Sequence, residues 1–256
     1  MTPPDAHTAV QHDASLRLAW WATAWLRGEA ATDHLLDAVI AEDATHTVAG
    51  LAELGLGGDA EAAETLVMGL GRLRAEGATM VGTAFPAEGD PVGLGGPPAF
   101  NAAALEVGQA LVSDAGLGFV PQRVGAVVVW RAYRAERRQI VDTGEADRQL
   151  RAALVTTTNA LAALDVARWR PDVADELMNL RHRRSPDAPP SVPVRCVDLA
   201  ARALQAYGIV ALALEDDGGA ITRSEMAARR DALTPLDRAA RHALTAAGSP
   251  EVWPPA

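Results

Sequence analysis

The chain has 256 residues, 49% of them hydrophobic, with 23 basic side chains against 33 acidic ones and a net charge of −10. Every basic residue is an arginine. This excludes Schiff-base chemistry, which needs a lysine amine, and the lysine of a Walker A phosphate loop. So acidic a chain repels phosphate backbones, and nucleic-acid binding is disfavoured.

The charge is uneven. Residues 1–128 hold 5 Arg against 16 Asp and Glu (−11), and residues 129–256 hold 18 Arg against 17 (+1). The single cysteine, Cys196, cannot close an internal disulfide, which fits a reducing cytoplasm. MTPPDAHTAVQHD lacks the basic start and apolar run of a signal peptide. The apolar run Leu16–Leu26 is 11 residues, where a membrane helix needs about 20. The expectation is a cytoplasmic protein with no membrane partner and no cofactor.

Residues 1–12 read as a disordered tail. Asp13 can cap a helix to about Arg27, ASLRLAWWATAWLRG, which is apolar nearly all round. Such a helix is deeply buried or lies at an interface, so Trp20, Trp21 and Trp25 are candidate interaction residues. Thr32 caps a second helix, residues 43–58 read as loop, and a third helix starts at Asp59 and stops at Gly77. ATMVGTAF, 78–85, reads as a strand. The loop DPVGLGGPP leads into a helix from Pro98 to about Ser113. Residues 116–120 and 125–133 read as two strands joined by a turn at Pro121–Val124, close enough in sequence to be antiparallel.

From Asp142 onward the patterns are helical. Asp142 and Glu145 have capping spacing, and Leu150, Leu154, Thr157, Leu161 and Leu164 form a core stripe. A short helix begins at Pro171, and the proline-rich linker SPDAPPSVP precedes a long apolar helix, 194–215. Thr222 and Glu225 open another helix, and Thr234 with Pro235 opens a further one. The expected fold class is α+β. An α+β region, 13–135, carries a small, mainly antiparallel sheet of two or three strands. An all-helical bundle, 142–248, follows and is free to pack with it as one globule.

Candidate sites are few. A strand, a glycine loop and a helix start form a geometry that can hold an anion on backbone N–H groups, which makes Gly93, Gly95, Gly96 and Asn101 candidate ligand contacts. Against this, the spacing is not GxGxxG, and Pro97 and Pro98 remove two donors, so a structural corner is the stronger expectation. Asp33, His34, Asp37, Glu42, Asp43 and His46 cluster in sequence. No HExxH or CxxC framework supports a metal there, and a solvated acidic face is expected. Arg168, Trp169 and Arg170 can grip a partner's carboxylates, though arginines at helix ends are commonly just solvated. No catalytic set assembles.

DPVGLGGPPAFNAAAL, ALDVARWRPDVADEL and LEDDGGAITRSEMAARRDALTPLDRAARHAL resemble segments of a family of alanine-rich hypothetical proteins of high-GC actinobacteria. The resemblance covers most of residues 15–247 and implies an intracellular bacterial source. It brings no activity, fold or site residues with it. The functional expectation is a non-enzymatic cytoplasmic interaction or regulatory protein, as a homo-oligomer or with a protein partner. The alternative is a binding protein or enzyme for an anionic small molecule, with its site at loop 90–101.

Overall fold

VVVWRAYR, residues 127–134, alternates its side chains between two faces and lies inside a six-stranded sheet. The computed structural model describes residues 6–57, 62–136, 138, 140–163, 185–215 and 223–254, with backbone alone at 6–13, 163, 215, 223 and 225. The elements are α1 (Ala6–Leu26), α2 (Thr32–Ile40), β1 (Thr45–Ala49), β2 (Glu64–Thr65), α3 (Leu66–Ala75), β3 (Val81–Ala84), α4 (Pro98–Val107), β4 (Ala110–Ser113), β5 (Leu117–Val124) and β6 (Val127–Arg134). Three long helices follow: α5 (Thr143–Ala163), α6 (Val194–Glu215) and α7 (Arg223–Ala247). Short 3-10 turns occupy Ala52–Leu54 and Pro250–Val252.

The class is α+β, but the expected two or three strands are corrected to six, in the order β2-β1-β6-β5-β4-β3. The sheet is mixed, with β1 parallel to β6 and every other pair antiparallel. Each missed strand has a physical reason. β1, THTVA, carries little apolar signal, because its buried His46 is held by polar partners. β4 lies where a helix to Ser113 was expected. Gly108 adopts φ 78°, the left-handed conformation that ends α4 and frees ALVS to pair with β3. The predicted turn at Pro121–Val124 is strand, and the hairpin turns at Gly125, φ 61°. Pro121 lies beyond the last β4–β5 pair, Leu111↔Phe119, where a missing donor is tolerated.

α1 is the divider of the molecule. Leu16 and Trp20 face the helical core, among Leu150, Leu199, Leu204 and Leu244. Leu18, Ala19, Trp21 and Ala22 face the sheet, among Val48, Val81, Leu111, Phe119 and Trp130. An all-round apolar helix needs two such partners, and this one has both. The other sheet face is covered by α4, whose Phe100 and Ala104 meet Ala110, Val112 and Val120.

The helical part closes the open edge of β3. Thr83 N–H donates to Gly248 O (3.2 Å) and Phe85 N–H to Thr245 Oγ1 (3.2 Å). Arg138 Nη2 donates to Thr83 O (2.9 Å) and Arg241 Nη1 to Phe85 O (3.1 Å). Two residues earlier on the strand, the Thr23 hydroxyl serves both Val81 N–H and Val81 O. The outward polar groups of an edge strand are thus satisfied without another strand.

α7 is one helix through Thr234 and Pro235, which corrects the expected helix start there. A proline inside a helix leaves the carbonyl four residues earlier, here Asp231 O, without its helical donor. The buried Thr157 hydroxyl of α5 donates to the neighbouring carbonyl, Ala232 O, at 3.1 Å. Among the described residues α6 is long and apolar enough to cross a membrane, and here its apolar face packs in the helical core.

Candidate functional site

The glycine loop turns inward. Gly93 has φ 81°, and a Cβ there would sit 2.7 Å from the Ala84 methyl, so its backbone packs against its own sheet. Gly96 precedes a cis peptide to Pro97, and its N–H donates to Asn101 Oδ1 at 3.0 Å. Gly96 O accepts from Glu136 N–H at 2.8 Å, which fixes the loop to the segment after β6. Gly95 is half-buried between them. Asn101 thereby closes the corner from within, and the Glu136 carboxylate approaches Gly96.

Trp20 is fully buried and its indole N–H donates to Ala247 O at 3.0 Å, while Trp21 is 9% exposed. Trp25 is half-buried, with its N–H on Thr32 Oγ1 (3.0 Å) and the Arg74 guanidinium 3.5 Å over its ring. Burying a large apolar side chain is worth about 2–3 kcal/mol. These rings spend that inside the chain and offer little surface to a partner. Arg168, Trp169 and Arg170 lie outside the described residues.

Part of the acid–histidine cluster forms a chain of polar contacts. Asp33, His34 and Asp37 are exposed on α2. His46 Nδ1 accepts from Trp130 Nε1 (3.2 Å), so Nε2 carries the proton and donates to Asp43 Oδ2 (2.9 Å). Asp43 Oδ1 in turn takes Arg123 Nη1 at 2.7 Å. Burial pushes the His46 pKa below its ordinary value, and the Asp43 hydrogen bond only partly restores it. With both ring nitrogens engaged, His46 has none left for a metal. Among the described residues no three or more His, Cys, Asp or Glu are placed to hold one. Cys196 is buried and its thiol is pushed up to about 11 by burial, so it is poorly nucleophilic.

The chemistry that sequence reasoning missed is at the first residue of the same loop. Asp90 Oδ2 accepts from Arg241 Nη1 (2.8 Å), and Asp90 receives His242 Nε2 at 3.0 and 3.1 Å on its two oxygens. Asp237, one helical turn before, holds Arg241 Nε at 2.9 Å. Arg238 lies 3.7 Å from Asp90 and is 62% exposed. Burial alone would raise the Asp90 pKa. The His242 hydrogen bond and the charges of Arg241 and His242 outweigh burial and hold the carboxyl below the usual range. Tyr207 nearby is pushed up to about 12 by burial and the Asp237 charge. Asp90 and His242 line an open cavity of about 420 Å³, with Pro91, Val92, Gly93, Ile140 and Val141 as the remaining described walls. The Asp90 bonds fix the imidazole through Nε2, and Nδ1 makes no hydrogen bond among the described residues.

Comparison with known proteins adds kinship. A family profile described as "Rv1486c-like protein, N-terminal domain" matches residues 15–146, and one described as "Rv1486c-like protein, C-terminal domain" matches 144–245. The "Uncharacterized protein Rv1486c" of Mycobacterium tuberculosis (strain ATCC 25618 / H37Rv) is 28% identical over 285 residues, covering 94% of this chain and 98% of the relative. The "Uncharacterized protein MT1533" of Mycobacterium tuberculosis (strain CDC 1551 / Oshkosh) shows the same 28% identity and coverage. No solved structure matches the chain. The two profiles together span both the sheet and the helical core, and the chain belongs to the Rv1486c-like protein family.

Proposed function

We propose that the chain is a small-molecule-binding protein whose site is the cavity between residues 90–93 and α7, and that its ligand carries an anionic group. The observation that supports this is the fixed Asp90–His242 pair on the wall of an open cavity, at the join between loop and helical core. Ligand sites favour such joins, with apolar walls and a few convergent polar groups. Arg241 and His242 already answer the Asp90 charge, which leaves the largely exposed Arg238, 3.7 Å from Asp90, as the cation for the ligand. Pro91, Val92, Ile140 and Val141 supply an apolar bed. The glycine backbone supports the loop and leaves binding to side chains. The buried tryptophans of α1 take weight from the interaction-protein reading, whose candidate surface was that helix.

A thermal-shift panel of nucleotides, sugar phosphates and carboxylates tests this. A ligand at about 100 times its Kd adds about 2.7 kcal/mol to native stability. At least one anion is expected to raise the midpoint of the wild-type chain and fail to raise that of His242→Gln, which keeps a donor for Asp90 and removes the imidazole. If no compound moves the wild type, or His242→Gln responds equally, the reading is wrong.

A further inference from the structure

A second cavity, of about 280 Å³, lies at the opposite end of the sheet pairing and shares no described wall with the first. Its described walls are Ala14, Val107, Gln109, Pro121, Gln122, Arg123 and Val128. Two of its donors are fixed from behind. Gln109 is 2% exposed, and its Oε1 accepts from the fully buried Ser15 hydroxyl at 2.6 Å. That bond orients the carboxamide so that Nε2 is the free end. Nε2 makes no hydrogen bond among the described residues and is not sealed off from solvent. On the cavity wall and without a protein acceptor among the described residues, the group is open to an acceptor on a ligand. Arg123 is held by a single nitrogen, Nη1, on Asp43, whose other oxygen is held by His46 and, through it, Trp130. The remaining guanidinium N–H groups are donors on the same cavity.

We propose that this cavity binds a small monocarboxylate, its two oxygens on Gln109 Nε2 and Arg123 and its carbon chain against Val107, Pro121 and Val128. A guanidinium and a carboxamide are planar donors that match a planar carboxylate. Arg123 is the one cation among the described walls and shares its charge with Asp43, so a ligand with two charges, such as a phosphate monoester, is disfavoured against a carboxylate. At about 30 Å³ for each water-sized group, the volume takes an acid of fewer than about ten heavy atoms.

Isothermal titration of the full chain with butyrate, butyramide and inorganic phosphate tests the assignment. Butyrate is expected to bind with a Kd of about 1 mM or tighter. Butyramide and phosphate should bind at least about tenfold more weakly, a difference of about 1.4 kcal/mol. Arg123→Gln, at a partly exposed position, and Gln109→Glu, which keeps the Ser15 acceptor and adds a repelling charge, should each weaken butyrate by at least that factor. If Gln109→Glu fails to fold by circular dichroism, Arg123→Gln decides. Undetectable butyrate binding at about 10 mM, equal binding of phosphate, or an unaffected Arg123→Gln overturns the proposal. His242→Gln separates the two cavities: it should leave butyrate binding intact, and loss of binding there would place the acid in the Asp90 cavity instead.

Discussion

At the scale of single residues, the consequential pairings are charges brought together over long sequence distances. Asp90 and His242 are 152 positions apart, so no local spacing could announce them. The loop is marked in the sequence by its glycines, whereas the chemistry lies in the aspartate that opens it. His242 in RAARHAL looks like any polar residue on an amphipathic helix. Removing one partner of a largely buried ion pair leaves the other uncompensated. Asp90→Asn is therefore expected to cost about 3 kcal/mol at neutral pH, read by urea denaturation. Because the folded Asp90 pKa lies below its ordinary value of 3.8, its contribution is full above that pH and is lost as pH falls through the folded value. The Asn variant should accordingly lose less stability on acidification than the wild type. His46 has the same sign from a different cause. Its folded pKa is depressed from 6.5 by burial, so its contribution is full above pH 6.5 and declines below it, as the unfolded chain takes up the proton first. In His46→Gln the stability measured between pH 6.5 and 5 should vary less with pH than in the wild type, and an unchanged slope would contradict the assignment.

At the scale of elements, what was legible followed signal strength. α2, β3, β6, α5 and α6 have strong periodicity or clear stops, and their expected positions lie close to the observed ones. β1, β2 and β4 are short, and each is recognisable only once its neighbour is known. β2 is two residues, paired through Thr47↔Thr65 and Val48↔Glu64. The packing between elements is tighter than any pattern reveals. At Gly69 of α3, a Cβ would lie 2.4 Å from Val48 Cγ2 of β1. Alanine in a helix gains up to about 1 kcal/mol over glycine, but Val48 is buried and β-branched and cannot yield, and overpacking costs about 1–3 kcal/mol. Gly69→Ala should therefore be net destabilising, with a lowered denaturation midpoint. Thr157→Val keeps the shape of the side chain and deletes the hydroxyl that serves Ala232 O beside Pro235. The expected loss is about 1–2 kcal/mol by the same measurement, and no loss would mean that the carbonyl finds another donor.

At the scale of the whole molecule, α1 and the β3 edge make the sheet and the helical core interdependent. Trp20 reports on the helical core, where its ring lies and its indole N–H ends on Ala247, and Trp21 and Trp130 report on the sheet side. Tryptophan fluorescence and far-ultraviolet dichroism should follow one coincident unfolding transition. Two separated transitions would show that the halves melt independently. Cys196, buried and with its thiol pushed up to about 11, should react with a thiol reagent only in that same transition.

The closure of β3 also has a temporal side. The polar groups of Thr83 are met by Leu244, Gly248 and Ser249, and the Thr83–Leu244 contact spans 161 positions. At a synthesis rate of about 5–20 residues per second, the strand leaves the ribosome roughly ten to thirty seconds before the helix that seals it. Throughout that interval a nascent chain carries an unsealed strand edge, the surface most prone to pair with a neighbouring chain. The first half of this protein can collapse early, but its native sheet is completed only when almost the last helix arrives.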